Sequence, residues 1–261
     1  GWRIALFSFG APGIVISIIT HFTLREPPRG FSDKNKNYIQ TDYNTFESFK
    51  VLWKRNTFKY MVLGGSMYGL ILVSTLIWIP SFFERSHGLG PAEIGRWLAF
   101  TNGIPHALGT LAGGFLADRV IKKGVHAPIL ICVFAQLTAA PFYAFVLLWP
   151  NHFGAFLWFI IPSFVGVMQG PILYATIQAV SEVNQRAVAA ALMILIINLF
   201  AGVIGPQIVG TTSDLISSSL GKDSLGIALL TVTTVFSLLS AFFFYLASKH
   251  IKKDLDSISR I

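Results

Sequence analysis

Cysteine is nearly absent from this chain: Cys132 is the only one, and it lies inside an apolar run. A single thiol excludes a disulfide framework and a thiolate metal cluster within the chain. Charge is scarce as well. Asp, Glu, Lys and Arg together supply 12% of the residues, about half the share found in soluble domains. No glycine-rich phosphate loop and no nucleophile elbow is present. His21, His87, His126, His152 and His250 are scattered through turns and ends without metal-ligand spacing. These absences argue against an enzyme and imply neither cofactor nor metal. What the chain has is apolar surface: 53% hydrophobic residues and 23 phenylalanines among 261 residues. A soluble domain needs a charged coat, whereas lipid tails tolerate apolar side chains facing outward. The composition is that of a membrane protein.

Seven apolar segments of spanning length, about 20 residues each, follow one another. The first covers about 4–24 and stops at Arg25-Glu26-Pro27-Pro28, where tandem prolines end a helix. A polar, basic connection occupies 25–57 and contains a short amphipathic helix around Phe46–Trp53. Further spans are expected over about 58–83, 91–118, 128–149, 153–180, 186–210 and 225–248, the third opened by Pro91 at a first helical position. A basic tail over 251–261 closes the chain. Gly1 stands at the threshold of a hydrophobic helix, with no cleavable signal pattern behind it. The expectation is that further helices precede it in a longer protein.

The net charge of +8 raises nucleic-acid binding as a candidate, and the distribution of charge decides against it. Arg25, Arg29, Lys34, Lys36, Lys50, Lys54, Arg55 and Lys59, then Arg119, Lys122 and Lys123, then Arg186, then the tail occupy alternate connections. The other connections hold only Arg3, Arg85, Arg96 and Lys222. Such alternation is the positive-inside pattern of a multi-pass helical protein, with the rich side, including 25–57 and the C-terminus, cytoplasmic. The stretch with Lys50, Lys54 and Lys59 is expected along the inner surface, where anionic lipid attracts cations. One helix, a long cytoplasmic connection and six more helices match the middle and end of a two-times-six-helix transporter. Residues 1–24 then form the last helix of the N-terminal half, and 58–250 the C-terminal six-helix bundle.

Polar residues at mid-membrane depth are the binding candidates, because they are costly there without a cavity or a partner. Asn102 and His106 are one turn apart on one span and share a face. His106 is either satisfied by neighbouring backbone and hydroxyl groups, or it binds an anionic head group or carries a proton. Gln169, Tyr174 and Gln178 lie on the fifth span, Asn198 at the centre of the sixth, and Tyr68 on the second. Gly109-x-x-x-Gly113 and Gly166-x-x-x-Gly170 place small residues on single helix faces, for static packing or for sliding. Gly170-Pro171 and Gly205-Pro206 are candidate hinges, because proline removes a helix hydrogen bond. No carboxylate lies deep in any span. A proton-coupling acid would therefore belong to the missing half, unless His106 takes that role.

The segment Gly113-Gly114-Phe115-Leu116-Ala117-Asp118-Arg119, closing a helix before a basic turn, resembles the loop signature of the major facilitator superfamily. Lys122-Lys123-Gly124 stands where that family commonly has a Gly-Arg-Arg/Lys cluster. Gly1-Trp2-Arg3, Arg25-Glu26-Pro27-Pro28-Arg29-Gly30, Gly170-Pro171 with Gln178, and the run from Arg186-Ala187 through Asn198, Gly202 and Gly205-Pro206 to Ser213-Asp214 resemble the Spinster-like branch. The resemblance implies an all-α integral membrane fold, consisting of helices six to twelve of the facilitator architecture. It also implies alternating access and a lipid-like or amphipathic solute such as a lysolipid or sphingolipid derivative. A proton-coupled carrier of small organic anions, or a drug exporter, is the alternative within the same superfamily. A bacterial inner membrane, surrounding lipids and the missing N-terminal half are the expected surroundings. With the family in view, Asp118 and Arg119 become gating candidates. Asp118 is expected to cap the helix that starts at Arg186 or to pair with Arg186, with Glu182 a lesser participant.

Overall fold

A computed structural model describes residues 2–24 and 45–258, and those residues are helical apart from short turns. The chain divides into two compact units, Gly1–Thr41 and Asp42–Ile261. In the first unit α1 spans Trp2–Thr23, as the apolar run requires. The rest of the connection up to residue 44, including the Arg25–Gly30 motif, and the last three residues of the tail lie outside the described residues.

The second unit contains the remaining helices. A short helix α2 (Thr45–Lys54) is followed by α3 (Asn56–His87), α4 (Pro91–Leu98), α5 (Ile104–Val120), α6 (Ala127–Leu148), α7 (His152–Val167), α8 (Gln169–Ala179), α9 (Arg186–Leu199), α10 (Gly205–Leu220) and α11 (Ser224–Ile258). Three pairs form the broken spans: α4 with α5, α7 with α8, and α9 with α10. Helices α3, α6 and α11 are unbroken. Gly88, at φ 69°, ends α3 in the left-handed conformation, and its N–H donates to the Glu84 carbonyl. Pro91 then stands at the start of α4, behind Gly90 as N-cap. The Asn151 side chain caps α7 by accepting from the N–H groups of Phe153 and Gly154 at 2.7 and 3.4 Å.

The breaks have a shared cause. Five-residue π turns, Ala99–Gly103 and Phe200–Ile204, join α4 to α5 and α9 to α10. Pro105 and Pro206 follow them, so the carbonyls of Thr101 and Gly202 lose the N–H that a regular helix would offer. Pro171 acts likewise on Val167, the last residue of α7. The same offset separates the two π turns, Pro105 from Pro206, and Gly109 from Gly210. The second helix of each three-helix group is therefore built the same way, as nested inverted repeats demand.

Two apolar clusters fill the bundle. One gathers Ile79, Phe83, Tyr143, Phe156, Phe159 and Leu229, with the Phe83 and Phe156 rings stacked at 3.9 Å. The other gathers Leu52, Phe58, Ile129, Ile177, Met193 and Phe244. Leu52 is fully buried, so α2 is docked on α3 and α9 at the end of the bundle. The apolar side of α2 is thus covered by protein, while Lys50 and Lys54 stay exposed. The tail differs from expectation. Helix α11 continues through Ile258, Ile251 is buried, and the Asp254 carboxylate accepts the Thr57 N–H at 2.7 Å. A carboxylate at the first turn of α3 satisfies an orphan donor and faces the positive end of the helix dipole.

Candidate functional site

Helix α8 packs against both α5 and α9, and the exposed sides of these three helices together are termed the open face. Sequence dictates which polar groups reach it. Asn102 and His106 are half-buried, and His106 Nδ1 lies 3.0 Å from the Asn102 carbonyl. Thr110, one turn further, donates its hydroxyl to the His106 carbonyl at 2.9 Å. Tyr174 and Gln178 are exposed one turn apart on α8. Asn198 is exposed on α9 and donates to the Ile194 carbonyl at 2.9 Å. These hydrogen bonds stay within single helices, so each polar group keeps unused capacity toward the face. Gln207, directly after Pro206, is exposed on α10 in the position that His106 holds after Pro105. It was not singled out from the sequence, although the repeated Gly/Pro spacing marks it.

Gln169 behaves differently. It is buried behind the face, donating Nε2 to the Gly166 carbonyl at 2.7 Å, while its Oε1 finds no partner among the described residues. Tyr68 of α3 lies beside Gln169 and over Gly166. The structure therefore brings Tyr68 and Gln169 together and leaves Asn198, Tyr174 and His106 on separate helices.

The glycine motifs divide. A Cβ built on Gly109 would stand 2.1 Å from the Phe164 carbonyl oxygen, and one on Gly113 would stand 2.2 Å from that of Met168. Both positions are closed by backbone, as a small-residue face predicts. By contrast, Gly170 has nothing within 4 Å and Gly166 meets only Tyr68, so Gly166-x-x-x-Gly170 is no helix-packing face here. The expectation failed because residues 166 and 170 flank the α7–α8 break and no longer share one straight face. Gly205 is also tightly enclosed, by Ser74 and Leu70, and the Pro206 carbonyl accepts the Trp78 indole N–H at 3.1 Å.

At the basic end, the Asp118–Arg186 pair and the Asp118 cap are not formed. Asp118 and Arg186 are exposed, and the Arg119 guanidinium lies over the Phe115 ring at 4.0 Å. Instead Glu182 pairs with Arg55 at 2.8 Å. The same guanidinium donates to the carbonyl of Val180, the C-cap of α8. Docking α2 places Arg55 at that helix end, where a cation complements the exposed carbonyls. Arg55 could not be singled out among so many basic residues without knowing that α2 packs on the bundle.

A bundle of apolar helices with proline breaks defines the class as an all-helical, multi-pass membrane protein. Comparison makes the class specific. The family model of the Major Facilitator Superfamily matches residues 1–206, and the chain belongs to that superfamily. Within it the chain is Spinster-like. It is 27% identical to Protein spinster homolog 3 of Danio rerio, over 97% of this chain and 54% of that one. It is 26% identical to an MFS-type efflux pump of Mycolicibacterium smegmatis, over 98% of this chain and 58% of the pump. The chain thus spans little more than half the length of these relatives. A crystal structure of a bacterial homolog of the human lysosomal transporter Spinster, inward-facing and unoccupied, has the same fold. It superposes with a TM-score of 0.74 at 24% identity, over 97% of this chain and 60% of that one.

Proposed function

We propose that the protein carrying this chain is a secondary transporter working by alternating access, and that its solute is lipid-like or amphipathic. The observation that carries this reading is the open face of α5, α8 and α9. The three helices present Asn102, His106, Tyr174, Gln178 and Asn198, and they also expose apolar residues such as Leu108, Leu111, Ile194 and Leu195. No Lys or Arg occurs in 97–118 or 128–185, nor in 187–221. A small organic anion would need such a cation from this half or from the other, so an amphipathic solute suits this wall better. The chemistry is translocation and not bond-making.

In this reading α1 closes the N-terminal half and the six-crossing bundle forms the C-terminal half, with the basic connections on the cytoplasmic side of a bacterial inner membrane. Gly170-Pro171 and the Phe200–Pro206 segment supply the bending points. Asp118, Arg119, Arg186 and Glu182 act at the cytoplasmic gate, where Asp118 and Arg186 meet only when the inner side is shut.

Flux in vesicles of the full-length protein tests the proposal, with lysolipids compared against organic anions. His106→Ala is expected to lower lysolipid kcat/KM about tenfold, the value of one lost hydrogen bond to a polar solute. Unchanged flux would remove His106 from the pathway, and anion flux without lysolipid flux would replace the solute class. Orientation is checked separately with an impermeant thiol reagent on Cys132→Ala protein. Lys123→Cys and Arg85→Cys are expected to label from opposite sides; labelling from one side would sink the topology.

A further inference from the structure

Away from the open face, α6 and α11 pack side by side and leave a shallow hollow of about 470 Å³ between them. Its walls are apolar: Val133, Phe134 and Leu137 from α6 face Leu238, Phe242 and Tyr245 from α11. Five of these are exposed, with Phe134 at 66% and Phe242 at 53%. An apolar hollow on an outward face of a spanning bundle looks into hydrocarbon.

The groove has a charged end. No charged residue stands on α11 between Asp223 and Lys249, and Lys249 lies one turn below Tyr245 with its ammonium 4.5 Å from that ring. Lys249, Lys252 and Lys253, together with Asp256 and Ser257, line a second hollow further along the same helix. The spacing 238, 242, 245, 249, 252/253, 256 keeps one face of a helix with 3.6 residues per turn. From Leu238 to Lys253 that face runs for roughly 22 Å at about 1.5 Å per residue. This is about a half-bilayer of hydrocarbon, some 15 Å, followed by the headgroup layer. Apolar groove and cationic platform therefore stand in the order of an acyl chain and its phosphate.

We propose that the α6–α11 face is a binding site for an anionic phospholipid of the leaflet on the basic side. One acyl chain lies in the groove between Phe134 and Phe242, and the phosphate meets Lys249, Lys252 and Lys253. Charge complementarity selects this occupant. A zwitterionic lipid fills the groove equally well but gives the three lysines no net charge to neutralise, whereas each cation near an anionic headgroup strengthens its retention severalfold. The site is distinct from the open face and does not depend on which solute is carried.

Native mass spectrometry of the full-length protein, titrated with dioleoyl phosphatidylglycerol or dioleoyl phosphatidylcholine, tests this directly. The expected result is preferential retention of phosphatidylglycerol. The exposed-side-chain variant Lys249→Gln/Lys252→Gln/Lys253→Gln should lower that retention on the order of tenfold or more and erase the preference. Leu137→Trp, which fills the groove from its exposed rim, should lower retention of both lipids. Phosphatidylglycerol with a photoreactive acyl chain should cross-link to α6 and α11. Equal retention of the two lipids, an unaltered preference in the triple variant, or cross-links confined to other helices would each overturn the proposal. So would a dimer of the full-length protein in which Leu137→Cys and Phe242→Cys cross-link between copies, because a second copy would then occupy the groove.

Discussion

A methyl group added at Gly113 lowers the stability of the full-length protein by about 2 kcal/mol or more, and leucine there prevents assembly of the bundle. The added Cβ would fall 2.2 Å from the Met168 carbonyl oxygen, far inside van der Waals contact, and the obstacle is backbone. A flexible side chain would swing aside, but the main chain at the α7–α8 junction can yield only by moving away from α5. Overpacking of this kind costs about 1–3 kcal/mol, more when backbone must shift. Gly109→Ala meets the Phe164 carbonyl oxygen at 2.1 Å and should behave alike. Gly170→Ala and Gly103→Ala are the controls, since nothing lies within 4 Å of a Cβ at either position. Thermal unfolding in detergent, read by size-exclusion fluorescence, separates the two pairs. Equal midpoints for Gly113→Ala and Gly170→Ala would refute the close approach of α5 to α7.

The second large effect is expected at Arg55. Its guanidinium holds both the Glu182 carboxylate and the Val180 carbonyl, and the two charged side chains are only 11% and 22% exposed. Losing one partner leaves the other charge partly desolvated, so Arg55→Gln and Glu182→Gln should each cost about 1–3 kcal/mol. The double variant should cost less than the two single losses combined, because the orphaned charge is gone. Arg55→Lys should fall between, keeping a charge for Glu182 without the planar fork that also reaches Val180. Denaturant unfolding of the four proteins measures the coupling. Strict additivity would show that the pair is incidental. The clamp also ties the end of the 25–57 connection to the turn between α8 and α9. Flux through Arg55→Gln should therefore change along with stability if that turn moves during transport.

How far the site was legible follows from what each residue depends on. The Pro91 start and most span limits rest on neighbours in the chain and appear within a few residues of the expected positions, whereas the sixth and seventh spans run about ten residues past the expected ends, to Leu220 and Ile258. The shared face of Asn102 and His106 is a property of one helix, so four residues of spacing sufficed to find it. Asp118 failed as a partner of Arg186 for the opposite reason. Both are charged helix-end residues near the basic side, but charge patterning could not say which ends adjoin, and α2 had already delivered Arg55 to Glu182. Gly166-x-x-x-Gly170 failed as a packing face because the break that Pro171 makes between α7 and α8 separates the two glycines. The π turns could have been foreseen from the repeated Gly/Pro spacing around Pro105 and Pro206, which relates His106 to Gln207.

The sequence by itself determined a multi-pass helical membrane protein and the alternation of basic and neutral connections. Hydropathy and charge are summed along the chain, and bilayer solvent forces every buried backbone group into helices. Only the tertiary structure decided that Gly109 and Gly113 press on α7, that Gln169 lies buried beside Tyr68, that Arg55 holds Glu182, and that α6 and α11 leave a groove above three lysines. Each of these depends on which helices are neighbours and at what rotation, and residues far apart in the chain set those relations by packing.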